Sequence, residues 1–351
     1  MWVAHRNSGI SADGLSKEIA NYRSNGVFEE DCAAFRSIFE VQKHPKMMLM
    51  DVSPGNFRCT VRNYVLDIGT LKCLSCVLPL HKTMTELFLY NAGMSNQAVD
   101  LLSTTLPRCT SLVKVHLDYN PLEDPSVFAQ ILAVNMPARS VSLRGNDLRE
   151  AGAVAVARAL AENTWIQTLN LFGNQIGDRG GAEIVNKLRF NTMLKSLSLS
   201  RNACANETLI GLVDTLTGSE VSVDAKAEYH RYASRLTELN KCIASGKKMK
   251  TKYGEDIPPN IEEIPLFGSI VTVDHADFVT GNRVLEMINL SSNEVTEDGA
   301  SLAVKKLSRQ PAGGLEFELS KSTWEINITN NPIEHERGVK LSRVCRDRIV
   351  F

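Results

Sequence analysis

One asparagine sets the frame of this chain, because the same pattern recurs around it at near-constant spacing. Aligned on it, the sequence reads "LVKVHLDYNPL" from Leu112, "ARSVSLRGNDL" from Ala138, "IQTLNLFGNQI" from Ile166 and "LKSLSLSRNAC" from Leu194. The anchors Asn120, Asn146, Asn174 and Asn202 lie 26, 28 and 28 residues apart. "MTELFLYNAGM" from Met84 fits upstream, with Ala92 in the asparagine slot. "LEMINLSSNEV" and "TWEINITNNPI" fit downstream on Asn293 and Asn331, and "YVLDIGTLKCL" from Tyr64 reads as a degraded first copy. A unit this short cannot bury its apolar face alone, so its copies must stack.

The residue types follow from that stacking. In the "LxxLxL" part the leucines point inward from a short strand, while the residues between them face out on the pleat. The asparagine side chain can satisfy backbone groups where the chain turns, so neighbouring asparagines are expected to form a ladder. Glycine and alanine then let a helix lie close behind the strand, as in "GAVAVARALAEN" (Gly152 to Asn163) and "GASLAVKKL" (Gly299 to Leu307). Over about 84–216 and 283–335 this pattern resembles the leucine-rich repeat, specifically its ribonuclease-inhibitor-like subfamily. The resemblance implies an α/β solenoid shaped as a horseshoe, with a parallel sheet on the concave face and helices outside.

Five regions follow: an N-terminal helical cap over 1–60, repeats over 61–216, an insertion over 217–283, repeats again over 284–335, and a basic helical cap over 336–351. Asn202 and Asn293 stand 91 residues apart where one 28-residue step is due, leaving about 63 extra. Within that insertion Tyr229, Tyr232, Leu236, Leu239 and Ile243 fall on one stripe of a helix. The stripe either packs back on the solenoid or docks a partner helix. Lys241, Lys247, Lys248, Lys250 and Lys252 follow, and then Glu255, Asp256, Glu262, Glu263, Asp274 and Asp277. These blocks either pair with each other in a solvated loop, or the lysines meet an acidic surface such as tubulin tails or RNA phosphates. Helical patterns around Leu15, Ile19 and Tyr22, around Cys32, Phe35, Ile38 and Phe39, and at Leu341, Val344, Cys345 and Ile349 supply the caps. A basic docking helix is the alternative at the C-terminal end.

Catalytic motifs fail on inspection. "CLSC" at Cys73 to Cys76 has no second ligand pair at zinc spacing, and Cys73 falls at an inward slot of the degraded repeat, as Cys204 does in its own. "SGKKMK" lacks the first glycine and the hydroxyl residue of a phosphate loop, and "IEHERG" is not the zinc helix HExxH. "VDHAD" at Val273 to Asp277 lies in a strand-like part of the insertion, where its side chains alternate faces. No cofactor and no metal site are expected. A formal net charge of −1 gives no global attraction to nucleic acid or anionic membrane, and no apolar run approaches the roughly 18 residues of a membrane span. Eight cysteines without paired spacing suit a reducing compartment, so a cytoplasmic location is expected. A short mitochondrial presequence in "MWVAHRNSGISADG" is the alternative.

What remains is the outer face of the strands. Phe88, Tyr90, His116, Asp118, Tyr119, Arg144 and Phe172 form the candidate protein-binding patch, since aromatics and arginine dominate interface hot spots. Coverage by the insertion or the N-terminal cap would explain the same residues. The expected function is a non-enzymatic interaction scaffold. The resemblance points to leucine-rich-repeat subunits of cilia and flagella, such as that of the nexin–dynein regulatory complex, with tubulin or axonemal subunits as partners. Alternatives are a component of an RNA–protein assembly, such as a mitochondrial ribosome, and a GTPase regulator like the Ran activator. The acidic C-terminal tail of that activator has no counterpart here.

Overall fold

The inward strand positions are where the chain spends its aliphatic residues. Leu87 and Leu89, Val115 and Leu117, Val141 and Leu143, Leu169 and Leu171, Leu197 and Leu199, Ile288 and Leu290, and Ile326 and Ile328 are all at most 2% exposed. In the computed structural model, which describes residues 12–134, 136–217, 219–221, 270–273, 276–279, 281–282, 284–308, 324–344 and 348–351, these pairs lie on adjacent strands of one sheet. Its strands are β1 (Met47–Ser53), β2 (Asn56–Arg62), β3 (Met84–Tyr90), β4 (Lys114–His116), β5 (Ser140–Ser142), β6 (Thr168–Asn170) and β7 (Ser196–Ser198). A smaller sheet interrupts the series in sequence: β8 (Ser219–Val221), β9 (Ile270–Val273) and β10 (Ala276–Val279), antiparallel in the order β8-β10-β9. The main sheet resumes with β11 (Met287–Asn289), β12 (Glu325–Asn327) and β13 (Ile349–Val350), giving ten strands among the described residues. β1 and β2 form an antiparallel hairpin; every later pairing in this sheet is parallel.

Helices return the chain between strands and pack on one another in order: Ile68–Val77, Asn96–Thr105, Ala129–Ala133, Arg149–Glu162, Gly177–Lys187, Asn206–Thr217, Glu297–Ser308 and His335–Val344. Their approach is close. A Cβ at Gly181 would sit 2.8 Å from the Cys204 Sγ. Asp178 reaches across this contact, accepting from the amides of Ala205, Glu207 and Thr208 at the start of the next helix. It thereby satisfies orphan N–H groups that the helix cannot bond internally.

The expected ladder is present. Asn120 Oδ1 accepts from the Ala92 amide at 2.7 Å, Asn146 from Asn120 at 2.6 Å, Asn174 from Asn146 at 2.8 Å and Asn202 from Asn174 at 2.7 Å. Each side-chain amide also donates back to a carbonyl of the preceding repeat, as Asn174 Nδ2 does to Leu143 at 2.8 Å. The residue before each rung is left-handed, from Asn91 (φ 46°) through Tyr119 (58°) and Gly173 (67°) to Asn330 (59°). A second ladder, absent from the sequence reading, runs where helices return to strands. Asn163, Asn191 and Asn282 each donate to carbonyls of the preceding unit and accept two amides of their own turn.

Three expectations change. The first repeat is out of phase in the sequence reading: "YVLDIGTLKCL" supplies a turn and the helix Ile68–Val77, while the strand is β2, with Cys59 and Val61 as its inward pair. Tyr64 therefore takes the asparagine slot, behind left-handed Asn63 (φ 51°). Cysteine and valine in place of leucine hide this strand from a search on leucines. At the N-terminal end the helices Ala12–Asn21 and Phe28–Phe39 are followed by the β1–β2 hairpin, so a cap ending at residue 60 cuts through β2. At the other end Ile349 is not on the helical stripe but pairs with Ile326 as the tenth strand; β-branched Ile349 and Val350 favour that state. Cys345 lies outside the described residues, as do Tyr229, Tyr232, Leu236, Leu239, Ile243, Lys247, Lys248, Lys250 and Lys252.

The insertion leaves the stack without breaking it. β7 pairs directly with β11, and the Asn202 amide donates to Asn293 Oδ1 at 2.8 Å across 91 residues. The Asn282 amide meets the Thr215 carbonyl at 2.7 Å, so the excursion begins and ends at one place. Removing 218–280 and joining Thr217 to Gly281 would restore the 28-residue step. Urea denaturation of that variant is expected to give a stability equal to the full chain or higher by about 1 kcal/mol, from the shorter loop. A loss beyond about 2 kcal/mol would mean that the insertion braces the repeats.

Candidate functional site

The outer faces of β2 to β7 carry two rows of stacked side chains. In the inner row, Arg58 on β2, Glu86 on β3 and Lys114 on β4 stand in register. Glu86 is buried and accepts from Arg58 Nη2 at 2.5 Å and Lys114 Nζ at 2.9 Å. Burial acts to raise its pKa, but the hydrogen bonds and charges of Lys114 and Arg58 outweigh it and hold the carboxyl below the usual range. The Arg58 guanidinium also lies 4.1 Å from the Phe88 ring centre, and Phe88 stacks on His116 at 4.0 Å with only 7° between planes. Burial pushes the His116 imidazole below its ordinary pKa, against the opposing pull of Asp118 and Glu86.

The outer row is longer, with Arg62 and Tyr90 on β2 and β3 and the rest in the turns just after β4, β5, β6 and β7. Arg62 lies 4.7 Å from the Tyr90 ring, Tyr90 lies 4.9 Å from Tyr119, and Arg144 lies between Tyr119 (5.9 Å) and Phe172 (4.8 Å). Arg201 closes the row at 5.7 Å from Phe172. Each such cation–ring contact contributes about 0.5–1 kcal/mol at a partly exposed site. Arg62 and Arg201 are exposed, and Tyr90, Tyr119, Arg144 and Phe172 are half-buried. The Arg144 Nε has no hydrogen-bond partner among the described residues.

Of the sequence candidates, Phe88, Tyr90, His116, Tyr119, Arg144 and Phe172 come together in these rows. Asp118 does not join them as a surface group. It is 6% exposed, and its carboxylate accepts from the Ser142 hydroxyl at 2.6 Å and the Arg144 amide at 3.0 Å. With Asp118 folded inward, Tyr119 takes its place in the outer row. Arg58, Arg62 and Arg201 were missed. The first two sit on the strand whose phase was hidden, and Arg201 occupies the left-handed slot before a rung, where Tyr119 also stands.

Gly145 explains how Tyr119 reaches Arg144. Its φ is 62°, and a Cβ built on it would lie 2.6 Å from Tyr119 Cδ1. Gly173 has the same conformation (φ 67°) with nothing within 4 Å. Alanine at either position should cost about 1–2 kcal/mol from the left-handed backbone. Only Gly145→Ala should also displace a tyrosine. Near-UV circular dichroism of the two variants is expected to differ in the tyrosine band; identical spectra would contradict the packing.

The described cysteines are buried. Cys73 and Cys76 are buried on the helix Ile68–Val77, and burial pushes their thiols up to about 12 and about 11. Cys204 is buried in its inward slot, its thiol likewise raised to about 12 by burial. Among the described residues no group of three or more His, Cys, Asp or Glu side chains could hold a metal ion, and no helix is long and apolar enough to cross a membrane. Of "VDHAD", Val273 ends β9 and Asp277 lies on β10, while Asp274 and His275 fall outside the described residues.

Comparison with known proteins is narrow. No curated protein matches the sequence. Residues 162–185 match the family model described as Leucine Rich repeat, a stretch that spans the strand and helix around Asn174. That match, with the same unit stacked rung on rung to either side of it, supports reading this chain as a leucine-rich repeat protein.

Proposed function

We propose that the chain is a non-enzymatic protein-interaction scaffold whose main binding surface is the cation–aromatic face of β2 to β7. The observation that carries this reading is the outer row from Arg62 to Arg201. Six aromatic and arginine side chains, on β2 and β3 and in the turns that follow β4 to β7, stand in one continuous exposed or half-buried line. Stacking of the strands does not require them, and residues of these types dominate binding hot spots. A solenoid that curves toward this face, in the manner of the ribonuclease-inhibitor-like subfamily, would wrap the row around its partner.

Proximity labelling in cells tests the reading. The double variant Tyr90→Ala/Phe172→Ala should lose the neighbours that the unaltered chain labels, while its circular dichroism spectrum and a cooperative melt, lowered by the lost ring contacts, show that it still folds. An unchanged neighbour set would move the interface to the insertion. The finer placement in a cytoskeletal assembly such as the axoneme rests on resemblance in size and style alone. Co-purification with axonemal doublets after detergent and salt extraction would support it, and a diffuse soluble distribution would sink it.

A further inference from the structure

The face of β2 to β7 has a lopsided charge. Its strands present two carboxylates, and both are consumed: Glu86 lies buried between Arg58 and Lys114, and Asp118 is buried on Ser142 and the Arg144 amide. Arg62, Arg144 and Arg201 have no carboxylate partner among the described residues. Their guanidinium carbons lie 4.7, 4.8 and 5.7 Å from the Tyr90, Phe172 and Phe172 ring centres, and Arg62 and Arg201 are exposed, so their N–H donors are available to a ligand. A planar guanidinium fork suits a carboxylate, which can accept two parallel bonds.

The rings point the same way. Tyr90 lies between Arg62 and Tyr119, Phe172 between Arg144 and Arg201, and Phe88 between Arg58 and His116. A surface built for single-stranded nucleic acid needs free ring faces on which bases can stack. These rings have neighbours on both sides, so they act as supports for the arginines. The spacing sets the ligand length. Arg62 and Arg144 are three strands apart, about 14 Å, and Arg144 and Arg201 two strands apart, about 10 Å. An extended peptide advances roughly 3.3 Å per residue, so a segment of about eight residues spans the row from Arg62 to Arg201.

We propose that this face binds an extended acidic peptide segment of a partner protein, about eight residues long, with its carboxylates on Arg62, Arg144 and Arg201. The inference rests on the scaffold reading above and narrows it to one partner chemistry. The test uses the full chain and a fluorescein-labelled octaglutamate, with octalysine and octauridylate as comparison probes, in fluorescence anisotropy at several salt concentrations. Octaglutamate is expected to bind, weakening steeply with salt, and octalysine not to bind. Arg62→Gln/Arg201→Gln changes two exposed side chains, so its melting temperature should hold while its octaglutamate affinity falls at least tenfold. No octaglutamate binding at low salt, equal binding by the variant, or preference for octauridylate would overturn the inference. If octaglutamate fails while the Tyr90→Ala/Phe172→Ala variant still loses its labelled neighbours, the scaffold stands and only the acidic partner falls.

Discussion

Replacing Asn174 with alanine is expected to lower the unfolding free energy by about 3–5 kcal/mol, measured by urea denaturation. The side chain serves three backbone groups at once. Its Oδ1 accepts from the Asn146 amide at 2.8 Å, and its Nδ2 donates to the carbonyls of Leu143 and Leu171, both at 2.8 Å. Asn174 is 0% exposed, so water cannot replace what alanine removes. Each buried group left without a partner costs about 1–3 kcal/mol. Asn331 provides the internal comparison. It makes the same kind of bonds, to Leu290, Ile328 and the Val295 amide, but it is only half-buried near the end of the stack. Asn331→Ala should therefore cost clearly less, about 1–2 kcal/mol. Equal losses at the two positions would refute the account of the ladder as a set of desolvated rungs.

The second large effect is expected at the other end, where Asp31→Ala should destabilise the N-terminal cap by about 3–5 kcal/mol. Asp31 is fully buried on the helix Phe28–Phe39 and accepts from Tyr22 Oη at 2.6 Å, from the Ser24 hydroxyl, and from His81 Nε2 at 2.8 Å. His81 opens the turn that leads into β3, so this one carboxylate ties cap to repeat. Burial alone would raise its pKa, but the bonds from Ser24, Tyr22 and His81 prevail and lower it. The sign then follows. A carboxyl depressed in the folded state contributes stability that is present above its unfolded pKa of about 3.9 and is lost as pH falls through the folded value. The gap in melting temperature between the unaltered chain and Asp31→Ala should accordingly narrow below about pH 4. A gap that stays constant from pH 7 to pH 3 would mean that the carboxylate charge is not what holds the cap.

The fold was legible because the ladder constrains sequence so strongly. A buried asparagine at a fixed step has few substitutes, and seven inward pairs repeat beside it. Legibility failed where a rung or a leucine was replaced. Tyr64 and Ala92 stand in asparagine slots, and Cys59 with Val61 forms an inward pair that carries no leucine, so the first strand was placed late and Arg58 and Arg62 went unseen. The candidate face was legible at the level of position parity, which gave Phe88, Tyr90, His116, Arg144 and Phe172. Parity cannot tell that Asp118 turns inward, because that depends on a hydroxyl supplied by Ser142 one strand away. The second ladder was missed for a different reason. Asn163, Asn191 and Asn282 each stand 11 residues before a rung of the first ladder, ahead of the leucine pattern on which the repeats are aligned.

The pairing of β7 with β11 also bears on how quickly the chain reaches its final state. Neighbouring parallel strands elsewhere in the stack find each other across steps of 23 to 38 residues, whereas this junction must close across 91. The added loop-closure entropy is only about 1 kcal/mol, little against the stability of a stack but enough to slow its growth there about fivefold. Refolding should therefore show two phases. Strands up to β7 assemble first, and β11 to β13 join as a later event that shortening the insertion accelerates.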